Sequence, residues 1–170
     1  MNPIDEFLED VDTFTTGTIG RPGQRTFFLQ VRADGQFFSV KCEKLQVAAI
    51  ARFLTGVLQD LPPAEDRPVP AAMTLVPPGS PAFVLGGIAL GYDQRADRLV
   101  LELTELGDQD EDDDLEDADD DLGRLRISIT RGQALAFCEL AEESVAAGRP
   151  LCQWCNLPID PDGHPCPRMN

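Results

Sequence analysis

The stretch FTTGTIGRPGQRTFFLQVRADGQFFSVKC, residues 14–42, decides the fold class because it joins strand-forming runs through two glycine-containing turns. Aromatic and β-branched side chains are common in strands, and Asp34-Gly35 is a strong signal for a tight hairpin turn. The stretch therefore predicts three consecutive antiparallel strands, at about Phe14–Ile19, Thr26–Arg32 and Gln36–Cys42.

The same alternation continues beyond this stretch and is interrupted by two helical patterns. EKLQVAAIARFLTGVLQDLPP, residues 43–63, has apolar residues at helical spacing and ends in a proline pair, whereas PAFVLGGIALGYD, RLVLELTEL and RLRISIT predict three more strands. Thr130 and Gln133 then have the spacing of a capping box at the start of a second helix. The order βββ-α-βββ-α predicts an α+β fold, with an antiparallel sheet of about six strands and two helices on one face.

Composition divides the chain into regions. Residues 1–148 are predicted to form the α+β domain, with a proline-rich connection at 61–81. Eleven acidic residues lie between Asp108 and Asp121, so a loop at 107–122 is predicted to be acidic and disordered. Residues 149–170 form a small cysteine-rich, zinc-knuckle-like tail, expected to dock on the body of the domain.

The charge distribution limits the classes of partner. Removing those eleven acidic residues takes the formal charge from −16 to −5, so the rest of the protein is only mildly acidic. Nucleic acid is disfavoured, because binding to its phosphate backbone depends on clustered Lys and Arg. The sequence also contains no apolar run of about 20 residues, and MNPIDEFLED is unlike a signal peptide. These features predict a cytoplasmic protein that does not bind membranes.

The tail contains the pattern C-x2-C-x8-H-x-C, formed by Cys152, Cys155, His164 and Cys166. Thiolate and imidazole ligands suit zinc, which accepts tetrahedral coordination, so we predict a structural zinc site. The alternatives are a redox CxxC pair, reduced cysteines without metal, a fourth ligand from elsewhere, or three thiolates plus a water. A redox role is disfavoured because the thioredoxin-like βαβ context is missing.

Other motifs do not indicate catalysis or cofactor binding. GTIGRPGQR resembles an anion cradle, but a strand follows it where phosphate loops lead into a helix, so we interpret it as a hairpin turn. The acidic run lacks the glycine and the final glutamate of an EF-hand. Cys42 and Cys138 lie in apolar patterns typical of buried thiols. His164 is the one histidine and is assigned to the metal, so no catalytic residue is predicted.

The stretches FTTGTIGRPGQRTFFLQVR, EKLQVAAIARFL and AAGRPLCQWCNLPIDPDGHPCPRMN resemble a family of actinobacterial conserved proteins of unknown function that end in a similar CxxC...HxC tail. Family members typically have glycine where Asn156 stands. The resemblance implies genes beside a histidine-phosphatase-like and a kinase-like protein, and thus a partner in a phosphorylation-linked pathway. It transfers no catalytic residue.

Together these features favour a non-catalytic cytosolic protein with a structural zinc site that serves as a protein-interaction or regulatory accessory module. The alternative is an enzyme whose zinc-containing site lies near the tail and has one open coordination position. Trp154 lies between the first two cysteines and should face either the body of the domain or a partner, and we expect it to dock on the body.

Overall fold

A computed structural model describes residues 3–107, 121–160 and 162–168. The predicted acidic loop therefore lies outside the described residues, apart from positions at its two ends. The described part contains seven strands, two α-helices and one 3-10 helix: β1 Asp5–Leu8, β2 Thr13–Ile19, β3 Thr26–Ala33, β4 Gln36–Cys42, α1 Lys44–Gln59, the 3-10 helix Pro70–Met73, β5 Phe83–Asp93, β6 Arg98–Glu105, β7 Arg124–Ile129 and α2 Arg131–Ala146.

All seven strands join one sheet in the order β1-β7-β6-β5-β4-β3-β2, so the α+β prediction is confirmed. Two details differ from the expectation of about six antiparallel strands. β1 was not predicted and pairs in parallel with β7, and β4 pairs in parallel with β5. The second difference follows from connectivity, because a chain that passes through a helix between two neighbouring strands can return in the same direction.

The core lies between the sheet and the two helices, which cover one face. Phe14 of β2 stacks on Phe137 of α2 with ring centroids 4.4 Å apart, and both side chains are fully buried. The predicted alternation in β6 turns Leu99, Leu101 and Leu103 inward, in register with the apolar residues of β7. Within the described residues, no helix is long and apolar enough to cross a membrane.

The proline-rich connection packs on the opposite face of β2 and β3. The Thr15 hydroxyl donates to the carbonyl oxygen of Met73 at 2.6 Å. The Gln30 amide donates to the Val76 carbonyl oxygen at 2.7 Å and accepts from the Val76 N–H at 3.0 Å. Proline has no N–H, so this proline-rich connection cannot pair as an additional strand of the sheet. The Thr15 and Gln30 side chains instead form hydrogen bonds with its backbone groups.

The start of α2 joins three separate segments. The predicted capping box is present, since the Gln133 N–H donates to the Thr130 hydroxyl at 3.1 Å and the Gln133 side chain accepts from the Thr130 N–H at 2.9 Å. Arg131 pairs with Asp97 of the β5–β6 turn at 3.1 Å and also donates to the carbonyl oxygen of Pro62. A hydrogen bond from Tyr92 lowers the pKa of Asp97, which keeps this carboxylate charged opposite Arg131.

Gly132, in the first turn of α2, is predicted to be intolerant of substitution. A Cβ at this position would overlap the carbonyl oxygen of Asp66, which belongs to the proline-rich connection. Gly132→Ala should lower the free energy of unfolding by about 2–3 kcal/mol, because backbone must shift to remove the overlap. Urea unfolding followed by circular dichroism measures the change.

Gly56 provides the matched control, because it also lies inside a helix but a Cβ there would meet nothing within 4 Å. Gly56→Ala should raise the free energy of unfolding by about 0.5–1 kcal/mol, since glycine is the poorer helix former. Equal effects of the two substitutions would show that the contact between α2 and Asp66 does not constrain the fold.

Candidate metal centre

The tail begins with a short hairpin that brings the first two cysteines together. The Cys152 N–H donates to the Leu157 carbonyl oxygen at 2.8 Å, and the Ile159 N–H donates to the Pro150 carbonyl oxygen at 2.8 Å. Asn156 has a φ of 58° in the turn after the second cysteine, a conformation that asparagine tolerates better than most residues. The chain then reverses again at Gly163, which has a φ of 92°.

The two reversals bring Cys152, Cys155, His164 and Cys166 together, with one ligand atom from each within 4.8 Å of all the others. The Cys152 and Cys166 sulfurs are 3.9 Å apart, and the Cys155 sulfur is 3.3 Å from His164 Nε2. In a tetrahedral zinc site, bonds of about 2.3 Å to sulfur and 2.0 Å to nitrogen give separations of about 3.8 Å and 3.5 Å. The four predicted residues are therefore spaced as a metal ion would require.

The chemistry of the sulfurs is compatible with metal binding. A separation of 3.9 Å is far longer than the roughly 2.05 Å of a disulfide, so Cys152 and Cys166 are reduced thiols. Backbone N–H groups of Trp154 and Cys155 lower the pKa of the Cys152 thiol to about 7, because they stabilise its thiolate. Partial removal from solvent raises the pKa of Cys155. The thiolate is the form that ligates metals.

The expectation that Trp154 docks on the body of the domain is wrong. Its side chain is 55% exposed, and Leu151 and Leu157 are 64% and 50% exposed. The hairpin directs its cysteines toward His164 and leaves the residues between and beside them on the outside. We call Leu151, Trp154 and Leu157 the apolar tail surface. The exposure of Leu151 and Leu157 was not predicted from the sequence, although Leu151 and Trp154 directly precede the candidate ligands Cys152 and Cys155.

Polar contacts attach the tail to the body of the domain. Arg149 pairs with Asp160 at 2.6 Å, and both lie against Gly23 in the turn between β2 and β3. Arg25 from the same turn donates to the carbonyl oxygen of Ala147 at the end of α2. The stretch GTIGRPGQR is thus the predicted hairpin turn, and it also holds the junction between α2 and the tail.

The remaining two cysteines lie apart from the cluster and are buried in the main domain, as predicted. Burial raises the pKa of the Cys42 thiol to about 12, and burial also raises the pKa of Cys138. Both thiols stay protonated at neutral pH and behave as small apolar side chains. They are therefore suitable controls for the tail cysteines.

Comparison with known protein families identifies the family of this chain. The profile of a family described as a protein of unknown function, DUF3090, matches residues 6–166. The chain belongs to this family. The match covers all of the sheet except Asp5, both helices and all four clustered residues, so the family includes the tail as well as the α+β domain. A search of curated proteins and a search of solved structures found no match.

The clustered residues should hold about one metal ion per chain after purification without chelator. Cys155→Ser should lose that metal on dialysis, because it removes one of three thiolates, whereas Cys138→Ala should retain it because Cys138 lies outside the cluster. Inductively coupled plasma mass spectrometry measures the metal content. Less than about 0.2 ions per native chain, or equal metal in both variants, would contradict the prediction.

Proposed function

We propose that this chain is a non-catalytic cytosolic accessory protein whose zinc-stabilised tail binds another protein in a phosphorylation-linked pathway. The observation that carries the proposal is the combination, within one short segment, of four potential ligands and the exposed apolar tail surface. The ligands give the segment a fixed shape, and the apolar side chains give it a surface that a partner can cover.

Zinc fits the ligand set best. Three thiolates and one imidazole form a mixture that zinc binds in closed tetrahedral sites, and such sites serve structure rather than catalysis. The tail needs the metal because a segment of about 20 residues cannot bury enough apolar surface to fold by packing alone. Coordination supplies that free energy, since the ligands are brought together only in the folded tail.

Four protein ligands also argue against the alternative, in which the zinc takes part in a reaction. A catalytic zinc keeps one position open for water or substrate and is held by three protein ligands. Here all four potential ligand atoms lie within 4.8 Å of one another, so each residue is close enough to be the fourth ligand. This closeness supports a closed site.

The apolar tail surface is the proposed contact for the partner. Leu151, Trp154 and Leu157 are exposed apolar side chains within one short segment, and tryptophan is enriched among the residues that dominate binding energy. The chain carries a formal charge of −16, so a partner with an apolar groove bordered by Lys and Arg would be attracted and oriented by charge.

Zinc removal should unfold the tail and leave the main domain intact. Trp154 is the one tryptophan of the chain and lies between two ligands, so its fluorescence reports on the tail alone. Chelation should shift Trp154 emission to longer wavelength, while far-ultraviolet circular dichroism stays nearly constant because the main domain has its own core. Adding Zn²⁺, but not Mg²⁺, should restore the emission.

Two outcomes would contradict the structural role. One is unchanged Trp154 emission after the metal has been removed, which would mean that the tail holds its shape without it. The other concerns Co²⁺, which replaces zinc and reports its coordination through visible absorption. A spectrum showing five-coordinate Co²⁺ with bound water, instead of four-coordinate Co²⁺ with thiolates, would favour the catalytic alternative.

Partner binding should depend on the tail surface. Affinity capture with the full chain and with a tail-deleted form identifies candidate partners, and calorimetry with the purified candidate then measures affinity. Trp154→Ser should weaken binding at least about 30-fold, since a central aromatic contact commonly contributes 2 kcal/mol or more. Val69→Ser is the control, because Val69 is 65% exposed but lies on the proline-rich connection.

Equal affinities of the native chain and Trp154→Ser would show that the partner binds elsewhere. An equal loss in both variants would show a general surface effect and would also overturn the assignment. Metal content and circular dichroism of each variant establish that the tail is still folded.

A further inference from the structure

A cavity of about 450 Å³ lies where three parts of the main domain meet, next to the base of the tail. The turn between β2 and β3 forms one wall with Gly23 and Arg25, and Ser144 of α2 and Arg149 at the start of the tail form another. The third wall is the end of β4 and the beginning of α1, which contribute Lys41 and Lys44.

The distribution of positive charge sets this cavity apart from the rest of the molecule. The chain has 14 basic residues against 30 acidic ones, and Lys41 and Lys44 are its two lysines. Both line the same cavity, together with two arginines. Two lysines and two arginines thus line one cavity in a strongly acidic protein.

The two arginines have structural partners, whereas the two lysines are exposed residues that line the cavity. Arg149 pairs with Asp160, and Arg25 donates to the Ala147 carbonyl oxygen. Within the described ranges, neither lysine forms an ion pair closer than 4.0 Å. Among the described residues, these four cationic groups and the carboxylates of Glu43 and Asp160 leave a local excess of about two positive charges.

We propose that this cavity binds a small organic phosphate monoester. At neutral pH a phosphate monoester carries about 1.5 to 2 negative charges, which matches the local excess. Lysine ammonium groups are common phosphate ligands, and the Thr26 and Ser144 hydroxyls on the walls can donate hydrogen bonds to the remaining phosphate oxygens. The volume is within the range of small-molecule sites.

Two of the lining residues are apolar. Phe27 and Cys42 line the cavity, and both belong to the buried core. Apolar lining favours a ligand with a carbon skeleton over a free inorganic ion, because apolar contact adds to the charge interaction. Inorganic phosphate should therefore bind more weakly than glycerol 3-phosphate.

The two lysines make a direct test possible, because they and the amino terminus are the primary amines of the chain. The full metal-loaded protein is treated with a limiting amount of an acetylating reagent, and mass spectrometry measures the acetylation rates of Lys41 and Lys44. Glycerol 3-phosphate should slow both rates about tenfold at saturation and leave the amino-terminal rate unchanged. Glycerol, and sodium chloride at matched ionic strength, should protect neither lysine.

A second measurement uses variants that keep the fold. Lys41→Gln combined with Lys44→Gln should weaken glycerol 3-phosphate binding in calorimetry by about 100-fold, since each removes a hydrogen bond to a charged group. Arg95→Gln, which changes an exposed residue of the β5–β6 turn outside the cavity, should bind normally. Both lysines are exposed, so the double variant should unfold like the native chain.

The outcomes separate clearly. Selective protection together with a loss of affinity in the double variant supports the site. Equal protection by sodium chloride would show ionic screening only and would overturn the proposal, as would unchanged affinity in the double variant. None of these results depends on partner binding by the tail, because the apolar tail surface contributes no residue to the cavity.

Discussion

The stack of Phe14 on Phe137 fixes the arrangement on which both candidate sites depend. It joins β2 to α2, which are far apart in sequence, and holds α2 over the end of the sheet. Because of that position, α2 ends beside the turn between β2 and β3, where Arg25 donates to the carbonyl oxygen of Ala147 at the helix end. The tail and the basic cavity are both built at this junction, so their geometry follows from packing in the core.

Local patterns predicted most of the fold. The alternation of Leu99, Leu101 and Leu103 and the capping box at Thr130 each concern residues close in sequence, and the structure has both. The parallel pairing of β4 with β5 was missed, because strand direction depends on how a long connection returns. β1 was missed because four residues with two acidic side chains show no usable periodicity.

The two candidate sites also differ in whether their residues are close together in the sequence. The four potential metal ligands lie within 15 residues, so their spacing alone brought attention to them. The cavity takes its residues from a turn, two strands, two helices and the segment after α2, and only the folded chain brings them together. Neither lysine belongs to a recognisable sequence motif, although the sequence does show that the chain has two lysines. The position of Trp154 was mistaken, since burial is the average behaviour of tryptophan and says little about a residue inside a tight hairpin.

β1 also matters for how these molecules coexist in a crowded cell. A sheet of seven strands has two outer edges, and the backbone groups of an open edge can recruit a strand from another molecule. β1 forms one edge and is only four residues long, and it begins with Asp5 and Glu6. Arg126 covers its exposed Phe7 ring at 4.9 Å. Such a short, charged border gives a second copy little to pair with, which protects the sheet against edge-to-edge aggregation.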